Sequence, residues 1–207
     1  MRWLPREHGS IVIWLASVVL ALLALPEVPS VPAMAVFALG CLLALLFLTG
    51  LTGRSVVLVR LERNPALTPA LASPLTLIVP FGHLVMVGPL TPGAAGLWVV
   101  YLAYTVSGVA YTGEAVRAAL RGVEPAWRPL LLSALGVGAV AYAVSVLGAL
   151  SFISVGVVAP LLLHRLLVGP RSRLGTLPRP QRIRRVGFAQ TANLFAAAVI
   201  LALAVRW

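Results

Sequence analysis

Apolar residues run in long blocks along this chain, and the breaks between blocks fall at proline, glycine and arginine. The blocks lie near 9–25, 31–52, 69–89, 93–112, 129–149, 151–168 and 187–205. Each is close to the ~20 mostly apolar residues that carry an α-helix across a bilayer. The pattern predicts an all-α fold: a polytopic membrane bundle of about seven transmembrane helices forming one domain over residues 1–207. Neither a soluble domain nor a convincing internal repeat is visible between the blocks.

The polar breaks orient the bundle. Arg2 and Arg6 precede the first block, Arg54, Arg60 and Arg63 follow the second, and Arg117, Arg121 and Arg128 follow the fourth. Arg165, Arg171, Arg173, Arg179, Arg182, Arg184 and Arg185 lie between the sixth and seventh. The breaks near Glu27, Thr91 and Leu150 hold no arginine, and Arg206 alone falls on their side. Cytoplasmic connections carry the excess of basic residues, so the alternation predicts a cytoplasmic N-terminus and tight hairpins on the outer face. Arg54–Arg63 reads as an extension of the second helix or as an interfacial helix, and Arg117–Arg121 as a continuation of the fourth. Gly169–Arg185 holds Pro170, Pro178 and Pro180, so a loop is expected there before a short basic helix start.

Composition strengthens this picture. Hydrophobic residues make up 60% of the chain and charged ones 10%, where a soluble domain needs about a quarter charged to face water. The net charge of +11 is all arginine against five glutamates, with no lysine and no aspartate. A nucleic-acid surface would need a soluble basic face, and these arginines are dispersed among membrane connections. Their natural partner is a bilayer with anionic headgroups on the cytoplasmic side, in the inner (plasma) membrane of a bacterium. The lone Cys41 leaves no disulfide framework and reads as a small buried side chain. Ala33-Met34-Ala35 resembles a signal cleavage site, but it abuts another long apolar block, so a retained first helix is expected.

Few residues are equipped for chemistry. His8 enters the first block and His164 leaves the sixth, so both belong at the cytoplasmic rim with Arg6, Arg54, Arg165 and Arg185. Such a rim suits a phosphate, carboxylate or lipid headgroup, and two histidines can also ligate haem or a metal. Anchoring of helix ends to lipid headgroups explains the same residues without a ligand. His83 is placed about 20 Å into the third block, an intramembrane polar residue whose plain role is to bond a carbonyl freed by Pro80.

In the fourth block Tyr101, Tyr104, Ser107 or Gly108, Tyr111 and Glu114 recur at spacings of three and four, giving one polar-aromatic stripe. That stripe belongs against other helices, either as interhelical glue or as the wall of a cavity for a small amphipathic ligand. Gln190 and Asn193 share a face of the seventh block and need partners in a dry bundle. No metal-ligand cluster is expected, and the residues do not specify a cofactor.

Pro5-Arg6-Glu7-His8-Gly9-Ser10 resembles the opening motif of the YwiC-like family of bacterial integral membrane proteins. Arg54–Arg60, Glu114–Arg121, His164–Leu167 and Arg182–Gly187 are similar, in order, to its basic segments. Two departures stand out: Ser10-Ile11-Val12 replaces the usual Ala-Trp, and Gln190 stands where a glutamate is expected. Gln190 keeps a hydrogen bond but not a charge. The resemblance implies the membrane fold and the rim, and it implies no particular activity.

Three functions fit these residues. One is a ligand-handling or accessory membrane protein for a quinone, lipid or haem-like molecule at the cytoplasmic rim. A second is an intramembrane enzyme with prenyltransferase-like topology, although paired aspartates to hold magnesium are absent from the sequence. A third is a small-molecule transporter built around His83 and the prolines of its helix. Topology is directly testable. Reporter fusions after Arg171 are expected to report the cytoplasm and fusions after Trp207 the outside; both on one side would remove the seven-span order.

Overall fold

The computed structural model describes residues 15–19, 30–54, 76–121, 127–168 and 179–205. They are helical almost throughout: α1 (Val31–Arg54), α2 (Ile78–Met86), α3 (Pro92–Arg121) and α4 (Trp127–Val146). A 3₁₀ helix, Phe152–Val157, then runs straight into α5 (Val158–Val168), and α6 (Arg179–Ala204) follows. Residues 15–19 are also helical. No strand forms among the described residues; Leu150 and Val205 make one isolated antiparallel bridge.

α3 is the central element. It packs most extensively on α6 and α4, and α2 joins it to α1. Its start is set locally: the Thr91 hydroxyl accepts the Ala94 N–H at 3.2 Å as an N-cap, and Pro92 fills the first helical position, where an N–H is not needed. Leu97, Val100, Tyr101, Tyr104, Thr105 and Tyr111 fall on one face and are buried. The facing stripe of α6 is built mainly of small and aliphatic residues: Ala189, Leu194, Ala197, Ala198, Leu201 and Ala204.

Helix ends depart from the apolar blocks in three places. α3 runs on to Arg121, well past the end of its block. α6 begins at Arg179 rather than after a loop reaching Arg185, with Pro180 in the first turn where its missing N–H costs nothing. α2 ends at Met86, because the His83 carbonyl takes the N–H groups of both Val87 and Gly88, and Gly88 has a φ of +121° that turns the chain. His83 is therefore in the last turn of its helix; the start of its block, from which its depth was reckoned, lies outside the described residues.

Among the described residues one stretch, Pro92–Tyr111, is both long and apolar enough to cross a membrane. Val31–Leu42, Leu131–Val146, Phe152–Leu163 and Phe188–Ala204 are apolar but shorter.

Close approach between helices depends on glycine. A Cβ on Gly96 of α3 would lie 2.7 Å from Val144 Cγ1 and 3.0 Å from the Ala149 Cβ, whereas one on Gly136 of α4 would meet nothing within 4 Å. Gly96→Ala is therefore expected to cost roughly 1–3 kcal/mol through overpacking. Gly136→Ala should be neutral or slightly stabilising, since alanine favours the helix. Thermal unfolding in mild detergent measures both, and equal midpoints for the two variants would contradict the packing.

Candidate functional site

The polar stripe of α3 closes on α6 rather than facing outward. Tyr101 and Tyr104 are fully buried, and Tyr111 is buried about two turns further along. The Tyr104 hydroxyl donates to the backbone carbonyl of Asn193 at 3.1 Å. The Ser17 hydroxyl donates to the Tyr101 oxygen at 3.4 Å, which brings the 15–19 helical residues onto the same seam. Gly108 gives its space to Gln190: a Cβ there would lie 3.0 Å from the Gln190 Nε2. Tyr104, Tyr111, Gln190 and Asn193 thus belong to one interhelical seam.

This geometry separates two roles within the stripe. Around Tyr101 and Tyr104 the seam is shut, and the Tyr104 hydroxyl is engaged with backbone, which makes it an interhelical tie. Toward Glu114, which is half-buried, the antiparallel register sets Glu114 level with Ile183 and Arg184 of α6. The seam therefore runs from hydroxyls at its centre to a carboxylate and the arginine-rich turn of α6 at its end.

The remaining rim residues are only partly placed. Arg54 ends α1, His164 and Arg165 lie on α5, and Arg185 lies in the first turns of α6. Their side chains, and all of Arg6 and His8, lie outside the described residues. The expected meeting of His8 with His164 therefore lies outside them too.

His83 belongs to a different place. It is buried, and its Nε2 pairs with the Thr91 hydroxyl at 3.4 Å, where a carbonyl freed by Pro80 was expected. Thr91 starts α3, and Glu114 lies about 35 Å further along that helix at 1.5 Å per residue. The two ends cannot share a ligand. Among the described residues no group of three or more histidine, cysteine or acidic side chains is placed to hold a metal.

Sequence reasoning passed over a second polar knot. Ser145 near the end of α4 meets the Ser154 hydroxyl at 2.9 Å and lies 2.8 Å from the Ala141 carbonyl and 3.1 Å from that of Ser151. It pins the 3₁₀ helix to α4, and the Ser151 N–H reaches the Ala204 carbonyl at 2.8 Å to hold α6 there as well. Two serines nine residues apart across a turn give no periodic signal. Thr91-Pro92, by contrast, is a legible helix start.

Removing the Tyr104 hydroxyl tests the tie. Tyr104→Phe is expected to destabilise by about 0.5–1.5 kcal/mol, the worth of one net hydrogen bond, seen as a lower thermal midpoint in detergent. An unchanged or raised midpoint would remove the tie from the account.

In comparisons with known proteins, no family model, no curated protein and no solved structure matches this chain.

Proposed function

We propose that this chain is a multi-pass protein of the bacterial inner membrane, N-terminus in the cytoplasm, that holds a small amphipathic ligand near its cytoplasmic rim. The observation that carries this is a set of large apolar side chains on the outside together with polar side chains inside. Leu84, Leu132, Leu135, Leu147, Phe188 and Leu203 are each 60% or more exposed, on three helices and one turn. Ser17, Thr76, Thr105, Ser145, Ser154 and Asn193 are buried at 4% exposure or less. Water favours the opposite arrangement, whereas a bilayer accepts apolar side chains outside and requires hydroxyls and amides to pair within.

Arginine placement supports the orientation. α3 and α6 are both longer than a hydrocarbon core needs, at 30 and 26 residues. Their surplus ends hold Arg117 and Arg121, and Arg179 to Arg185, on what the arginine alternation makes the cytoplasmic side. A ligand with an apolar body and an acidic or phosphate head suits that end, with guanidinium forks to bind the head and the bundle flank to cover the body. Membership of the YwiC-like family fits the same reading and rests on the resemblance of the opening motif and the ordered basic segments.

Two measurements test the proposal together. The protein is expected to stay in the membrane pellet through alkaline carbonate washing, and release into the supernatant would end the membrane reading. Purified in mild detergent, it is expected to retain an anionic amphipath detectable by native mass spectrometry, and Arg185→Gln with Arg54→Gln should reduce that occupancy several-fold. Occupancy unchanged by the pair would leave the membrane assignment standing without its rim ligand.

A further inference from the structure

An open groove runs between α5 and α6 on the outer flank of the bundle. Pro160 and Leu163 of α5 form one wall, Ala192, Ala196 and Ile200 of α6 form the other, and a single polar side chain, Asn193, lines it. Asn193 is 4% exposed, and its Nδ2 has no hydrogen-bond partner. Its backbone carbonyl receives the Tyr104 hydroxyl, so the residue is held in place while its amide donor is left unmatched. A buried amide donor without an acceptor is costly, and structures rarely leave one so. Asn193 belongs to the groove lining, and rotation about χ2 can carry its amide nitrogen toward the wall.

We propose that this groove takes the ring of an isoprenoid quinone, with Asn193 donating to one ring carbonyl oxygen. The inference rests on the membrane reading above and adds a site distinct from the rim. Depth selects the ligand. Asn193 lies eight residues beyond Arg185, about 12 Å along α6 from the basic turn that marks the headgroup level. Ester carbonyls of a phospholipid stay beside the headgroups at the edge of a hydrocarbon core about 30 Å thick. A neutral quinone ring has acceptors and no donors, and it moves through the core itself. One donor in an otherwise apolar groove is the complement of such a ring. Ala192 and Ala196 leave room for a flat ring against the helix, and Leu163 and Ile200 offer contact to its tail.

The full-length protein in phosphatidylethanolamine–phosphatidylglycerol nanodiscs, titrated with a benzoquinone bearing two isoprene units, tests this. Saturable binding of one quinone per chain is expected above an empty-nanodisc control. Ala196→Leu, at an exposed wall position, should weaken it about tenfold or more by filling the groove. Asn193→Leu should weaken it about three- to tenfold, the loss of one hydrogen bond. Ala196→Leu should leave the thermal midpoint unchanged, so its effect stands even where Asn193→Leu fails to fold. Binding equal to empty nanodiscs, or equal in wild type and Ala196→Leu, overturns the proposal. So does capture of brominated acyl chains in place of quinone, or a change from dimer to monomer in Ala196→Leu, which would make the groove a contact between copies. Failure of carbonate resistance would end the membrane reading first; a quinone null in a carbonate-resistant protein ends this inference alone.

Discussion

Close approach of α3 to α6 is the contact on which the rest of the bundle depends. Two helices that bury tyrosines on one side and alanines on the other can come near enough for a phenol to reach a main-chain carbonyl. Gly108 extends that approach by yielding its side-chain volume to Gln190. On the membrane reading proposed above, such contact is worth its dispersion and its hydrogen bonds, because removing apolar surface from lipid gains little. Many large aliphatic side chains face outward, while tyrosines, leucines, alanines and several hydroxyls share the interior. α4 and α5 then assemble against this pair, joined to each other and to α6 by the serine knot and the Ser151–Ala204 hydrogen bond.

Much of the helical order was legible in the blocks of apolar residues, since a run of that length has few alternatives to a helix. The ends were less so. Arg117–Arg121 continues α3 as expected, but Arg179–Arg185 opens α6 where a loop was expected, because arginine is a good helix former and charge alone does not stop a helix. The end of α2 was illegible for the converse reason. Gly88 and Pro89 sit in an apolar context, and the turn they make depends on a positive φ that hydropathy does not register.

The candidate site was legible as stripes and illegible as pairs. Spacings of three and four put Tyr104 and Tyr111 on one face, and the same logic set Gln190 beside Asn193. Which helix would meet which is a property of assembly, carried by the Gly108–Gln190 fit and by Tyr104 reaching the Asn193 carbonyl. Neither depends on a distinctive residue type. The unmatched amide of Asn193 is still less visible in a sequence, because every asparagine looks able to find a partner until its neighbours are known.

The 3₁₀ helix ahead of α5 has a further consequence in length. Six residues wound as 3₁₀ advance about 12 Å where an α-helix would advance about 9 Å. Added to the eleven residues of α5, the segment reaches about 28 Å, against about 25 Å for a fully α-helical one. On the membrane reading proposed above, a run too short to match the hydrocarbon thickness is stretched to nearly match it. Overwinding one end of a helix thus relieves hydrophobic mismatch without adding a residue, and the serine knot at that end is what holds the coil in its tighter pitch.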